Sequence, residues 1–457
     1  MLIKHIPKKK ILLLLGDMVI IGLAYFLSPL IRFGSLSFDV IQVSLSGILV
    51  LEIYLLSFYL ADIYDTNSNF KSFRYLSKFL ATVCIATVIL AVLFFLSPSV
   101  RTGRGEFLIN VILIGLFTYL WRLVFDWRFK SSLLGQKRLL IVGAGSAGRM
   151  LYESLKDNWS YKIVGFVDDD PAKWGQRYSC AVLGGCSVLK DIVSSQGVDA
   201  IIIAITNLKG PELLRCVLDC KMQGVDIYDM PSFYEELMGK VPIQHVDDFW
   251  LVSTPLSGVR KTVYTLKIKR VLDIILSIIG LLSSFPITIL TAIAIKLELH
   301  GPVFYRQRRT GLNGETFDVI KFRSMTVNAE ENGAVWAKKT DLRVTRVGKI
   351  IRKLRIDEIP QMWNVLKGEM SFIGPRPERP EFVSVLNEKI HYYSLRHSVR
   401  PGITGWAQVT YPYGASEEDA LEKLQYDLFY IKNLSLLLDF HILLKTVKVV
   451  LWGRGAR

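Results

Sequence analysis

Cysteine is scarce in this chain: Cys84, Cys180, Cys186, Cys216 and Cys220 are all there are in 457 residues, with no Cys-x-x-Cys pair. Cys216 and Cys220, four apart, could meet on one helix face, but two ligands alone do not hold a zinc ion. The five read as reduced, cytoplasmic and structural. A secretory signal is also missing. Lys4, Lys8, Lys9 and Lys10 imitate its basic start, yet no small-residue cleavage site follows the apolar run. Acid is in deficit, 41 Asp and Glu against 56 Lys and Arg, for a formal net charge of +15 and a pI of about 9.4. So basic a chain points to an anionic partner, either a membrane face or nucleic acid.

What is abundant decides between those two. Apolar residues make up 51% and the mean hydropathy is +0.33, too apolar for an ordinary soluble enzyme. Four stretches, 11–31, 40–60, 79–96 and 107–125, are apolar and long enough to cross a bilayer. The membrane is therefore the partner and nucleic acid is not. Lys71, Arg74 and Lys78 fill the second connection, and Arg122, Arg128, Lys130, Lys137 and Arg138 mark the exit from the fourth stretch. The other two connections hold only Arg32, then Arg101 and Arg104. The positive-inside rule then puts the N-terminus and everything after Lys130 in the cytoplasm.

From Arg138 the texture changes. "RLLIVGAGSAGRML" reads as a strand, a turn with Gly143, Gly145 and Gly148, and a helix. "YKIVGFVDDDP" adds a strand ending at Asp168, and "VDAIIIAIT" a third. Alternating strands and helices predict a small parallel Rossmann-like α/β domain. Three glycines followed by an acid at this spacing are what a dinucleotide site requires, and equally what an empty α/β turn uses. Tyr152 and Lys156 form a Tyr-x-x-x-Lys, but too soon after the glycines to reach a substrate.

A fifth apolar stretch, 271–295, has basic residues on both sides: Lys267, Lys269 and Arg270 before it, Lys296, Arg306, Arg308 and Arg309 after it. One straight crossing cannot put both flanks in the cytoplasm. Pro286 in "SSFP" removes a helix hydrogen bond, so a break is expected there, with Ser283 and Ser284 covering freed carbonyls. The expectation is a re-entrant helix over 268–298, with Asp273 pairing with Arg270.

Beyond it the chain stays basic. Strand alternation in "ETFDVIKFRSM" puts Phe317, Val319, Lys321 and Arg323 on one face, where two cations can grip a diphosphate or a lipid headgroup. "RIDEIPQMWN" follows six cations without an acid, Arg343, Arg346, Lys349, Arg352, Lys353 and Arg355. Asp357 is expected as a helix N-cap, with Pro360 in the first turn and Gly368 as the stop. That alone would explain it. Beside so many cations, however, carboxylates stay ionised, and an ionised carboxylate can attack phosphorus while a neighbour holds a magnesium ion. Asp357 and Glu358 are the candidates for these two roles. In "FIGPRPERPEF", Pro375 and Pro377 frame Arg376 and present its guanidinium rigidly, with one Xaa-Pro bond a candidate for cis. Arg396, Arg400 and Trp406 receive no role beyond packing and nearness to phosphate. Residues 416–451 read as amphipathic helices suited to a membrane surface.

These motifs, in this order, carry a family likeness. Lys269-Arg270-x-x-Asp273 with the Pro286 break, Lys321-Phe-Arg323-Ser-Met, Asp357-Glu358, Pro375-Arg376-Pro377 and Arg400-Pro-Gly-Ile-Thr-Gly resemble the bacterial polyprenyl-phosphate hexose-1-phosphate transferases of the monotopic phosphoglycosyl transferase superfamily. The front half looks like that family's long form, and the closing segment is similar to its exopolysaccharide branch associated with exosortase systems. One departure is Phe285, where the family usually has Ser before the proline. The resemblance implies that Asp357 attacks the β-phosphorus of a UDP-hexose (glucose or galactose), releasing UMP, and that undecaprenyl phosphate then takes the phosphosugar. Glu358 would ligate Mg²⁺, and Arg376 with its prolines and Arg355 would contact the nucleotide. It implies a multi-pass protein of the bacterial inner membrane with its catalytic domain on the cytoplasmic face.

The expected architecture is thus a four-helix transmembrane bundle (1–130), a Rossmann-like α/β domain (137–235), a linker (236–262) and an α+β catalytic domain (263–457) with a re-entrant membrane helix and amphipathic interfacial helices. The bundle offers a surface for a homodimer. Two other readings compete. A membrane-bound NAD-dependent nucleotide-sugar dehydratase or epimerase would need a Tyr-x-x-x-Lys well downstream of Gly148, and none is found. A non-enzymatic scaffold for polysaccharide assembly would transfer no sugar to lipid.

Overall fold

A computed structural model describes residues 8–34, 40–65, 70–97, 103–130, 136–158, 161–175, 180–205, 211–260, 262–298, 301–326, 343–412, 414 and 416–452. Lys4, Arg101 and 453–457 lie outside the described residues, as do the side chains of Lys8, Lys9 and Lys130. The chain forms two compact units, 1–230 and 231–457.

The first unit opens with helices α1 (Lys8–Phe33), α2 (Val40–Leu60), α3 (Phe73–Leu96) and α4 (Arg104–Lys130). Within them Lys10–Phe33, Phe73–Leu96 and Arg104–Arg128 are long and apolar enough to cross a membrane, and Leu45–Leu60 is a shorter apolar helix. Tyr54, Phe58, Phe70, Phe79 and Leu90 meet in one core, while Val19, Leu23, Ile85, Val88 and Leu108 stay exposed on the outside. Lipid tails are as apolar as Leu, so such faces need no protein cover. Gly16 lets α1 and α4 approach: a Cβ there would lie 2.3 Å from the Trp121 ring.

One expectation fails inside this bundle. Arg122, counted above as a basic flank, is fully buried and donates to both carboxylate oxygens of Asp17, at 2.9 and 2.8 Å. Its Nε donates to the Tyr75 hydroxyl at 3.1 Å, and its Nη1 also donates to Thr118 O at 2.7 Å. A charge among apolar helices must be paired or it unfolds them. Arg122 is a packing cation, invisible as such from its place near a helix end.

The rest of the unit alternates as expected: β1 (Lys137–Val142), α5 (Ser146–Leu155), β2 (Tyr161–Val167), α6 (Leu189–Gln196), β3 (Ala200–Ile203), α7 (Pro211–Met222) and β4 (Asp226–Asp229). The four strands are parallel in the order β2-β1-β3-β4. All five cysteines are free.

The second unit runs through α8 (Met230–Met238), α9 (Asp248–Ser253), α10 (Lys269–Glu298), β5 (Phe304–Thr310), β6 (Thr316–Phe322), α11 (Arg346–Lys353), α12 (Gln361–Lys367), β7 (Ser371–Ile373), α13 (Pro380–Lys389), β8 (Gly402–Thr404), α14 (Trp406–Thr410), α15 (Glu417–Asn433) and α16 (Leu436–Trp452). Strands β5 and β6 form an antiparallel hairpin, and β7 and β8 a short parallel pair. Residues 236–262, expected as a linker, pack into this unit. Lys240 pairs with Glu422 at 2.8 Å, Val241 N–H donates to Gln425 O at 3.0 Å, and Gly258 N–H donates to Ile431 O at 2.8 Å.

Helix α10 continues through Pro286 instead of breaking. The Ser283 and Ser284 hydroxyls donate to Gly280 O and Leu281 O, just before the Leu282 carbonyl that the proline frees. Nor does Arg270 pair with Asp273. Arg270 donates to Val365 O and Leu366 O, covering the C-terminal carbonyls of α12, while Asp273 accepts from the Ser371 hydroxyl and Phe372 N–H of β7. Both halves of α10 rest on the same unit: after the proline, Ile295 packs with Phe322 and Ile351, and Glu298 accepts from Arg346 N–H and Val347 N–H.

Of the two C-terminal helices only one has a free apolar side. In α15 every residue from Leu424 to Ile431 is buried, so it is a core helix. Leu436, Leu437 and Phe440 of α16 are exposed.

Candidate active site

Asp357 and Glu358 lie in a single 3₁₀ turn, Ile356–Glu358, wedged between α11 and α12. The N-cap expected of Asp357 is not formed. Arg355 holds the cap position with no side-chain cap bond, and Pro360 stands at the start of α12. Gly368 does end α12, at φ 91°. The physical reason for the displaced cap is Arg355 itself, at φ 58°, ψ 18°, a left-handed conformation that a non-glycine residue rarely adopts. It reverses the chain between two short helices, and such strain collects where a site demands it.

The turn is pinned to the hairpin by Asn364, which is fully buried. Its Oδ1 accepts from Ile320 N–H at 3.1 Å, and its Nδ2 donates to Asp318 O and to Glu369 Oε2, both at 2.7 Å. Helix α12 is therefore docked on β6, and β6 carries Lys321. Asn364 was visible in the quoted segment, but nothing in its neighbours announced this role.

Both carboxylates are 9% exposed, and they are not equivalent. Glu358 Oε1 accepts from Arg376 Nη2 at 2.8 Å and from Arg355 Nη1 at 3.4 Å. Burial alone would raise its pKa, but Arg376, Lys321 and Arg355 outweigh burial and hold it below the usual carboxylate range. Asp357 Oδ1 is buried and accepts no hydrogen bond among the described residues. Burial, then the Glu358 charge, push the Asp357 carboxyl up, against the pull of Lys321, Arg355 and Arg376. Lys321 is itself brought down to about 8, first by burial and then by Arg376. The result is one carboxylate held by guanidinium groups beside a second with an unbonded oxygen, where three cations converge.

Lys321, Arg355 and Arg376 thus join the dyad, as their motifs suggested. Pro375 and Pro377 flank Arg376 and place it there, and no peptide bond among the described residues is cis. Arg323, just past β6, bonds through its N–H to Val303 O, and its Nη1 is buried without a hydrogen-bond partner among the described residues. Lys269 pairs with Asp439 of α16 at 2.7 Å and so fastens the start of α10. Arg396 and Arg309 turn out to hold the Pro375–Pro377 loop from behind, which sequence order did not reveal. The fit of a magnesium ion rests on the unpartnered Asp357 oxygen beside Glu358. Magnesium is commonly held by one or two carboxylates plus phosphate oxygens and water, and this pair suits it.

The glycine turn is closed on itself. Gly143 is at φ 109°, and a Cβ on Gly148 would stand 2.0 Å from Gly143 O. Gly145 precedes α5 without a capping side chain. Asp168 accepts from Ala144 N–H at 2.8 Å, from Asp170 N–H at 3.0 Å, and from Lys173 at 3.0 Å. Its carboxylate thus ties the second strand to the glycine turn. Lys156 pairs with Glu153, so Tyr152 and Lys156 form no catalytic couple.

Residues 264–453 match the family model described as "Bacterial sugar transferase", and residues 59–231 match one described as "CoA-binding domain". An Aeromonas hydrophila protein named UDP-N-acetylgalactosamine-undecaprenyl-phosphate N-acetylgalactosaminephosphotransferase is 46% identical over 53% of this chain and 56% of its own length. The undecaprenyl-phosphate glucose phosphotransferase of Komagataeibacter xylinus is 34% identical over 70% of this chain and 60% of its own. The UDP-glucose:undecaprenyl-phosphate glucose-1-phosphate transferase of Klebsiella pneumoniae is 43% identical over 70% of this chain and 69% of its own. The chain thus spans less than two thirds of the Aeromonas and Komagataeibacter proteins. With the dyad, its cations and the Klebsiella match spanning most of both chains, the protein belongs to the family of bacterial sugar transferases.

Proposed function

We propose that this protein transfers a hexose 1-phosphate from a UDP-hexose to undecaprenyl phosphate, through a covalent bond to Asp357. The observation that carries this reading is the unequal dyad: a buried Asp357 oxygen free of hydrogen bonds, next to a Glu358 tied to Arg376. An Asp357 oxygen bonds to the β-phosphorus while the bond from that phosphorus to the oxygen bridging it to the α-phosphorus breaks, and UMP leaves with the bridging oxygen and its electron pair. A phosphate oxygen of the lipid then bonds to the same phosphorus and displaces the Asp357 carboxylate.

Around that exchange each residue has its task. Lys321, Arg355 and Arg376, each partly buried, meet the charge that develops on the transferred group. Mg²⁺, held by Glu358, would supply further neutralisation of the diphosphate. The sugar remains to be chosen among glucose, galactose and N-acetylgalactosamine, since the named relatives act on glucose and on N-acetylgalactosamine.

The site lies on the cytoplasmic face of a bacterial inner membrane in this reading. Basic flanks on the second loop and after α4 support it, and so does α10, both of whose halves rest on one polar unit that cannot straddle a bilayer. The glycine-turn domain holds none of the residues assigned to the transfer. The test is UMP release from a panel of UDP-sugars with undecaprenyl phosphate, using wild type and Asp357→Asn. Release at the wild-type rate by Asp357→Asn would falsify the assignment.

A further inference from the structure

The loop that carries Arg376 has two prolines and so lacks two of its own donors. Its carbonyls are instead held from outside, one after another. Pro375 O accepts from Gly402 N–H at 2.8 Å, Arg376 O from Arg396 Nη2 at 2.9 Å, Pro377 O from Arg309 Nη1 at 3.2 Å, and Glu378 O from Thr310 N–H at 2.9 Å. Two of the four donors are backbone groups of strands β5 and β8. Arg396 stands apart because it is a charged side chain buried to 5% exposure, and its Nη2 also donates to Asp427 Oδ2 of the core helix α15 at 2.8 Å. Tyr393 lies under the guanidinium and accepts from its Nη1.

Burying an Arg–Asp pair costs desolvation that apolar side chains of the same volume would avoid. Here the pair does something that apolar side chains cannot: it donates to a main-chain oxygen of the residue that grips Glu358. The path is short. Asp427 orients Arg396, Arg396 holds Arg376 O, and the Arg376 side chain reaches Glu358 at 2.8 Å.

We propose that Arg396, oriented by Asp427, is a positioning residue that sets Arg376 on the dyad and thereby governs the rate of phosphosugar transfer. The proposal rests on the transfer reading above. It touches no reacting atom and acts wholly through the Pro375–Pro377 loop.

The test uses the full-length protein with Arg396→Met and Asp427→Leu made together, so that neither charge is left stranded. The kcat/KM for the UDP-sugar falls about 10- to 100-fold, as for other supports of site residues, while the KM for undecaprenyl phosphate is unchanged. In an Arg376→Ala background the same pair of changes costs nothing further, since the brace has nothing left to aim. Hydrogen exchange quickens in the peptide 371–379 and stays as in wild type over 359–367. Arg396→Lys, which keeps Asp427 paired, shows the same pattern with a smaller loss. An equal loss with and without Arg376, or unchanged exchange over 371–379, overturns the brace. Wild-type protein that releases no UMP from any UDP-sugar overturns the functional reading instead, and the exchange measurement then decides the brace by itself.

Discussion

Arg376 and Glu358 are 18 positions apart in sequence and share a charge-assisted hydrogen bond of 2.8 Å, while Asp357, next to Glu358, keeps an oxygen unbonded. This one contact separates the two carboxylates in role. It predicts that Arg376→Ala lowers kcat/KM for the UDP-sugar by about 10²–10³-fold, the usual cost of removing a preorganised charge from a transition state. Arg376→Lys should recover little, because an ammonium lacks the planar fork. Steady-state UMP release measures both.

The raised carboxyl of Asp357 has a definite sign in pH. Its pKa moves from 3.8 to about 6, by burial and then by Glu358. The attacking form is the carboxylate, so kcat/KM should climb as pH rises through about 6, and fall again above about 8 as Lys321 loses its proton. Glu358→Gln removes the like charge and should move that acid limb to lower pH, apart from any loss of overall rate. An acid limb unmoved in that variant would show that Glu358 does not act on Asp357.

Asn364 bridges α12 to β6 through three partners. Asn364→Ala leaves the partly buried Ile320 N–H and Asp318 O without their side-chain partner, at up to about 1 kcal/mol each. A lowered melting temperature is expected, together with reduced turnover, because Lys321 and the dyad are no longer held in register. Asn364→Asp should fare no better, having lost the amide donor.

Inside the bundle, Asp17→Asn leaves Arg122 charged, buried and half-partnered. The expected loss is about 3–5 kcal/mol, the range for breaking a buried pair from one side. Thermal unfolding of the detergent-solubilised protein reads it. Replacing Asp17 and Arg122 together by Leu and Met should be much milder.

The fold of α10 in the membrane is tested by labelling. Single cysteines at Thr265 and His300, in a background without the five native cysteines, should react from the same side of sealed vesicles. Reaction from opposite sides would mean that α10 crosses the bilayer once.

Much of this molecule is written locally. Apolar runs mark α1 to α4 and α10, because about twenty residues with almost no charge are recognisable by length and composition. The glycine turn and its parallel strands follow from strand–turn–helix alternation, and Asp357, Glu358, Lys321 and Arg376 stand in short motifs whose residue types suit phosphate chemistry. Each of these signals lies within a few turns of chain.

The rest concerns partners distant in sequence. Arg122 looks like a headgroup cation until the fold brings it to Asp17, 105 positions away. Arg270 and Asp273 look like a pair until α12 and β7 offer each a better one. Arg396 has no stated task until α15 and the proline loop close on it. Local pattern reports backbone preference and the period of burial, whereas the partner of a buried charge is chosen by whichever groups the completed core leaves beside it. That choice belongs to the tertiary structure alone.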